Sequence, residues 1–313
     1  VRDIISKCVI FGGNGFIGSH LAEGLLHQGN DVVIFDHFKR GISNIEKIID
    51  NVTLIKGDFT NETEINQALK DVDFIFHFIS TTTPPTAISN PLYDVETNVI
   101  GSIRLFQAAV KNDVKKIIFP SSGGTIYGEP KKIPIRETAP LNPMNPYAIS
   151  KMAIEQYLHY FHEHYDLDYL IVRYSNPYGK RQNPNGNQGV IPIFLKKIKD
   201  DDIPTIYGDG NSLRDYIYVK DAIDATLQLM DVKDTNNIFH IGSGRGTSLN
   251  ELISIMSEVT GKAISPKYID NTGFYLSKII LDISKVKRAT GWNPKVSLHE
   301  GIERTWDWIQ TTA

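Results

Sequence analysis

The chain has 313 residues, a mass of 35.2 kDa and 41% hydrophobic residues, enough to bury one large core and a smaller one. Its 33 basic and 36 acidic side chains leave a net charge of -3, so no basic field favours nucleic acid or an anionic membrane surface as a partner. No apolar run approaches the roughly 20 residues that span a bilayer, and the first apolar segment starts too early to read as a secretion signal, which makes the cytoplasm the expected setting.

That first segment, KCVIFG (Lys7–Gly12), is a short apolar run ending in glycine and predicts a buried strand. It carries the single cysteine, Cys8, which reads as core packing in a reducing compartment. GGNGFIGSHL (Gly12–Leu21) follows. Gly13, Gly15 and Gly18 fit G-x-G-x-x-G, and Gly12, Gly15 and Gly18 fit G-x-x-G-x-x-G. Glycine permits a sharp turn and close approach of the backbone to a pyrophosphate, which the N-terminus of the helix predicted over Phe16–Gln28 attracts.

The next strand, DVVIFD (Asp31–Asp36), ends in an acid about 20 residues past the fingerprint, where a carboxylate can meet ribose hydroxyls. Asp36 would repel a 2′-phosphate and favours NAD over NADP; Lys39 and Arg40 close by pull the other way. Strands over Val52–Phe59, Asp73–Ser80, Lys115–Ser122 and Asp168–Ser175 then alternate with helices over Glu62–Leu69, Val95–Lys111 and Tyr147–His164. Such alternation predicts a doubly wound parallel sheet with the ligand-binding strand ends along one edge. After Asn176, the stretch NPYGKRQNPNGNQG is rich in Pro, Gly and Asn and marks entry into a smaller mixed region.

Within NPYAISKMAIEQYL, Tyr147 and Lys151 are four residues apart, which on a helix puts them on one face about 5–6 Å from each other. A neighbouring ammonium favours phenolate and lowers the phenol pKa. Such a tyrosine can remove a proton from a sugar or alcohol hydroxyl while a nicotinamide takes the hydride. Behind a dinucleotide fingerprint, the pair reads as an NAD-dependent enzyme acting on a C–OH group.

Over nearly its full length the chain resembles the extended short-chain dehydrogenases/reductases of the nucleotide-sugar epimerase/dehydratase family, in particular those of the UDP-glucose 4-epimerase type. GGNGFIGSHL, FDHF, GDF, SSGGTIYGE, PYAISK, RYSNPYG, IYGDGNSLRDYIYVKD and GWNPK occur in family order. The resemblance implies an α/β fold, with a Rossmann-type doubly wound parallel sheet and a smaller C-terminal mixed α/β substrate domain. Residues 1–175 would bind NAD, with 215–240 returning to that domain, and 176–313 would mainly bind the nucleotide sugar. NAD would stay tightly bound and be recycled within each turnover. The substrate would be a nucleoside-diphosphate sugar, a UDP-hexose by family frequency, epimerised at C4 through a transient 4-keto sugar. A homodimer would form through the helices Val95–Lys111 and Tyr147–His164.

Carried over residue by residue, the resemblance puts Gly12, Gly15, Phe16 and Ile17 on the pyrophosphate, Asp36 on the adenosine ribose, and Asp58 and Phe59 on the adenine edge. Phe78 and Ser80 would lie beneath the cofactor with Asn98 beside it, and Tyr174 would flank the nicotinamide. Tyr147 would be the base, with Lys151 lowering its pKa and binding the nicotinamide ribose. Asn176, Val190, Thr205, Tyr207 and Arg214 would contact the sugar nucleotide, Arg214 as the pyrophosphate clamp, because a guanidinium forks onto phosphate oxygens.

Two positions depart from the family pattern. Gly123 stands where a catalytic Ser or Thr is usual, leaving Ser122 or Thr125 to supply the hydroxyl that shares the substrate proton; Ser122 is the preferred candidate. The segment also lacks the Asp-Glu pair of 4,6-dehydratases, which disfavours water elimination. Near the C-terminus, NTGFYLSKIILD has no arginine for a second phosphate contact, so either Lys278 substitutes or Arg214 acts alone.

Other patterns read as structural. His159, His162 and His164 lack the partners of a metal site, so no metal is expected. Tyr216 and Tyr218 read as strand packing, and Trp292, Trp306 and Trp308 as core of the small domain. Three rivals to the epimerase stay open: an NAD(P)-dependent nucleotide-sugar reductase or dehydrogenase that exchanges its cofactor, an epimerase acting at other centres, and a non-catalytic NAD-binding regulatory protein of the same fold.

Overall fold

The computed structural model describes residues 5–39, 41–232, 236–270 and 276–312. Arg40 and the NTGFY part of NTGFYLSKIILD lie outside them. The chain forms two compact units: residues 1–126, 143–173 and 226–239 in the first, and 127–142, 174–225 and 240–313 in the second.

The first part of the chain runs β1 (Lys7–Phe11), α1 (Phe16–His27), β2 (Asp31–Asp36), β3 (Thr53–Lys56), α2 (Glu62–Ala68), β4 (Phe74–His77), α3 (Pro84–Ser89), α4 (Pro91–Asp94), a π-helical turn (Val95–Ile100), α5 (Gly101–Lys111), β5 (Lys116–Ser122), α6 (Pro146–Tyr165) and β6 (Asp168–Tyr174). It continues through β7 (Asn176–Tyr178), α7 (Val190–Lys199), β8 (Thr205–Tyr207), β9 (Leu213–Arg214), β10 (Tyr216–Tyr218), α8 (Val219–Met230) and β11 (Asn237–Ile241). The remainder is β12 (Thr247–Ser248), α9 (Leu249–Thr260), β13 (Lys267–Ile269), β14 (Lys278–Ile279), α10 (Ser284–Thr290) and α11 (Leu298–Thr312).

Seven strands make one sheet in the order β11-β6-β5-β4-β1-β2-β3, and the pairings from β5 through β3 are all parallel. The order reverses between β1 and β4, which opens a crevice beyond their C-terminal ends. The apolar runs read from the sequence are the buried centre of this sheet: Val9, Phe11, Val33, Phe35, Ile75, Ile117 and Phe119 pack with Leu105, Phe106, Ile154 and Leu158 from α5 and α6. At about 25 cal/mol per Å² of apolar surface, this burial is the main stabiliser of the unit.

Three elements differ from the sequence expectation. The third strand stops at Lys56 rather than Phe59, because Asp58 Oδ1 accepts from Thr60 N at 2.8 Å and closes an Asx-type turn. The fourth stops at His77 rather than Ser80, leaving Phe78–Ser80 as irregular chain at the crevice. The helix expected over Val95–Lys111 begins with the wider π-helical turn, a local form common at functional sites.

The second unit holds short paired strands, β7 with β10, β8 with β13, and β12-β9-β14. Its core gathers Ile191, Leu195 and Ile198 of α7, Leu252 and Met256 of α9, and Ile302, Trp306 and Ile309 of α11, with Trp308 packed against it. Trp292 is also buried. Residues 127–142 belong here through backbone hydrogen bonds from Ile135 N to Ile280 O (2.8 Å) and from Asp282 N to Ile135 O (2.7 Å).

Candidate active site

In the first unit, β1 ends directly at Gly12, whose φ of +83° is left-handed and suits glycine. A Cβ there would sit 2.9 Å from the Ile79 backbone beyond β4, and one on Gly18 would run into the Gly12 carbonyl oxygen. A Cβ on Gly15 would meet only Gly12 O, at 3.1 Å, and otherwise open space. Gly15 is the N-cap of α1 with no side-chain cap, and no acid lies in the first turn, so the helix presents its leading amides, Phe16 and Ile17 included, to an anion. Asp36, 9% exposed at the end of β2, accepts from Asn14 N (3.2 Å) and Phe38 N (3.3 Å) and keeps acceptor capacity to spare. A glycine cradle, an uncapped helix start and a strand-end carboxylate fit a dinucleotide.

Other residues expected at a cofactor divide. Asp58 spends one oxygen on Thr60 N and Oγ1, and these hydrogen bonds hold its carboxyl below the usual range. Phe59 is committed to the core, 5.9 Å from Phe11 and 5.1 Å from His77 between ring centres, so only its backbone can serve a ligand. Phe78 packs on Phe76 at 6.3 Å, and Ser80 Oγ donates to Thr82 O at 2.9 Å. Asn98 is buried; its Oδ1 accepts from Thr81 N at 3.0 Å while its Nδ2 donates to Asp94 at 3.1 Å. Tyr174, the buried last residue of β6, is counted with the second unit.

The start of α6 is written locally: Asn145 caps it by accepting from Ala148 N at 2.9 Å, and Pro146 takes the first helical position. This sets Tyr147 and Lys151 on the wall of one cavity with His77, Ser80, Asp94, Asn98 and Ser150. Lys151 is buried, donates from Nζ to Pro120 O at 2.9 Å, and stands 5.7 Å from the centre of the Tyr147 ring and 4.6 Å from that of Phe119. Ser122 ends β5, and its Oγ accepts from Thr125 Oγ1 at 2.8 Å, so the two candidate hydroxyls are coupled to each other.

The electrostatics correct one expectation. Desolvation, and then the Asp94 carboxylate, push the Tyr147 phenol up to about 12 rather than down. Desolvation brings Lys151 down to about 8, against Glu155 and Asp94, which hold it up. In the polypeptide alone, burial of the phenol outweighs the neighbouring ammonium.

His77 was not expected here. Ser102 Oγ donates to Asn98 O (2.5 Å), so it accepts from His77 Nε2 (2.7 Å), which places the ring proton on Nε2. Burial, with Lys151 adding to it, pulls the ring down to about 3 and keeps it neutral. Neither His77, Asp94 nor Ser150 was singled out in the sequence; position inside PYAISK was the only signal, and for Ser150 alone.

In the second unit, Asn176, Val190 and Arg214 line one cavity of about 310 Å³, together with Tyr178, Gln182, Gln188 and Tyr216, which sequence reading missed as site residues. Asn176 donates from N and Nδ2 to Asp215 O, both at 2.9 Å. Asp215 is itself fully buried and accepts from Ser243 N, Ser243 Oγ, Gly244 N and Leu281 N, which braces the strand carrying Arg214. Thr205 and Tyr207 lie on β8 and are not among the cavity walls; Tyr207 is exposed. Lys278 is exposed on β14, paired in register with Leu213 beside Arg214. Of the three histidines of HYFHEHY, His159 lies beside Glu163 and His162 beside Asp168, while His164 packs on the Tyr160 ring at 4.6 Å.

Residues 8–242 match the model of the NAD dependent epimerase/dehydratase family. The chain is 33% identical over 304 residues to the UDP-glucose 4-epimerase of Mycolicibacterium smegmatis, covering 96% of this chain and 97% of that protein. It is similar to the solved structure of UDP-glucose 4-epimerase from Thermotoga maritima with UDP-glucose, at 37% identity and a TM-score of 0.92 over 98% of this chain and 99% of the other. It is also similar to UDP-N-acetylglucosamine 4-epimerase from Methanobrevibacter ruminantium in complex with UDP-N-acetylmuramic acid, at 34% identity and a TM-score of 0.93 over 99% of each chain.

Proposed function

The chain belongs to the NAD-dependent epimerase/dehydratase family, and from that membership we propose that it inverts C4 of a nucleoside-diphosphate sugar, specifically a UDP-hexose of the glucose/galactose type. The observation that carries the reading is the Lys151 ammonium 5.7 Å from the Tyr147 ring centre, on a shared cavity wall at the crevice of the sheet. A uridine diphosphate sugar is named for each of the three relatives above, while the hexose differs among them.

When bound, NAD would supply a hydride acceptor and a positive charge beside Tyr147. The part left to the chain is to hold that dinucleotide at Gly12, Gly15, Phe16, Ile17, Asp36 and Asn98 and to move one proton. Tyr147 Oη, as phenolate, takes the proton of the sugar 4-hydroxyl and later returns it to O4. Lys151, as ammonium, favours the phenolate at that moment. Ser122 Oγ, oriented by Thr125, shares the same proton. Arg214 and Asn176 grip the diphosphate, and a grip on the nucleotide rather than the hexose leaves the sugar free to present either face.

A homodimer is part of this reading. Val95, Ile100, Ile149, Tyr157 and Tyr160 are all at least 38% exposed on the π-helical turn and α6, the segments expected to pair across it. Light scattering that gives a monomer mass would remove this part.

The test begins with protein purified without added nucleotide, denatured, and its released small molecules separated by chromatography. Near-stoichiometric NAD or NADH is expected. UDP-galactose added to the native protein without cofactor should then yield UDP-glucose. An empty protein that turns over only with added NAD(P) would replace the epimerase with a reductase or dehydrogenase.

A further inference from the structure

Asp94 ends α4, and its carboxylate is fully buried, where a charge is costly unless hydrogen-bonded. Three neutral donors satisfy it: Thr82 Oγ1 and Asn98 Nδ2 at Oδ1, and Ser150 Oγ at Oδ2. Each comes from a different piece of the fold: the chain after β4, the π-helical turn, and the first turns of α6. Ser150 immediately precedes Lys151, and its one hydroxyl proton is committed to Asp94. Asn98 is held at its other end by Thr81 N, so its amide orientation is fixed. Asp94 lines the same cavity as Tyr147 and Lys151.

We infer that Asp94 is a positioning residue for the proton transfer at Tyr147, anchoring α6 through Ser150 and the cofactor-side wall through Asn98. Its catalytic consequence rests on the 4-epimerase reading; its geometry does not. The charge of Asp94 also acts on the pair. The titratable and charged groups that act on Tyr147 and Lys151 are His77 from β4, Asp94 from α4 and Glu155 from α6 itself, with Arg173 of β6 paired to Glu155. His77 is held neutral, and Glu155 is bound to Arg173 at 2.5 Å. That leaves Asp94 as the carboxylate that holds Tyr147 up alongside desolvation.

Asp94→Asn keeps the volume and removes the charge. In NAD-loaded protein, ionisation of Tyr147 is read as near-ultraviolet absorbance, with and without Tyr147→Phe, in the wild-type and Asp94→Asn backgrounds. The phenolate is expected at a pH about one unit lower with Asp94→Asn, and the pH profile of kcat for UDP-galactose should move the same way with KM unchanged. A phenol that ionises at the wild-type pH or above overturns the inference. The absorbance needs no turnover, so a failure of the epimerase reading would show separately, as an inactive wild type. Should Asp94→Asn not fold, Ser150→Ala decides: kcat should fall about tenfold or more at unchanged KM and unchanged phenol ionisation, and a wild-type kcat would overturn the inference.

Discussion

Glu155 and Arg173 form a two-pronged ion pair inside the first unit, Nε to Oε1 at 3.0 Å and Nη2 to Oε2 at 2.5 Å, with each side chain at most 3% exposed. It ties α6 to β6 one helical turn beyond Lys151, and Glu155 also helps hold the Lys151 ammonium up. A buried pair of this kind is worth little against a hydrophobic replacement, but breaking it strands a charge. Glu155→Ala is therefore expected to destabilise the protein by about 3–5 kcal/mol in denaturant titration. A loss under 1 kcal/mol would mean that water or another group reaches Arg173.

The glycine cradle predicts a split between two small changes. Gly15→Ala adds a methyl at φ −74° whose one close neighbour is Gly12 O at 3.1 Å, so the fold should survive with a small loss of stability while retained nucleotide falls sharply. Gly18→Ala drives its methyl into the Gly12 carbonyl and should lower the melting temperature itself. Equal nucleotide content in Gly15→Ala and wild type would show that nothing approaches that face.

Tyr147→Phe removes the proton acceptor and little volume. A fall in kcat of about 10²–10⁴-fold is expected, with KM for the UDP-sugar nearly unchanged. Ser122→Ala should cost more than Thr125→Val, because Thr125 acts by donating to Ser122. The reverse order would move the catalytic hydroxyl to Thr125.

Lys151 gives a pH prediction for the NAD-free protein. Its folded value of about 8 lies below the ordinary 10.5, so the folded state binds fewer protons between those limits and stability should rise as pH climbs through that window. Tyr147, held up to about 12, works the other way only above pH 10. The Lys151 gap corresponds to about 3 kcal/mol, offset by about 1 kcal/mol for the hydrogen bond to Pro120 O. Lys151→Met should thus stabilise the NAD-free protein by about 2 kcal/mol near pH 7, lose the rise between pH 8 and 10, and abolish turnover. Urea titrations at several pH values, compared with wild type, check it.

Much of this was legible in the chain, because the controlling interactions are local. Short apolar runs, one closed by Gly12 and the other by Asp36, specify β1 and β2 almost to the residue, and Asn145-Pro146 starts α6 by capping geometry that needs no partner from elsewhere. Where local chemistry competes, the reading slipped: the Asx turn at Asp58 cut the third strand short, and Asn98 and Ser102 lie in or beside a π-helical turn that a period of 3.6 does not anticipate. Phe59 read as a ligand contact from its motif, yet its ring fills the space over Gly101 in the core.

By itself, then, the sequence determined the nucleotide-binding architecture and the pairing of Tyr147 with Lys151, since both follow from spacing along one element. The tertiary structure alone decided what surrounds that pair. Asp94 and Ser150 meet across 56 residues of chain, and His77 reaches Ser102 across 25. The burial of Tyr147 and Lys151 themselves, which no residue type announces in advance, sets the phenol high and the ammonium low. The physical reason is that desolvation depends on the whole packed neighbourhood, whereas helical spacing depends only on the few residues between one turn and the next.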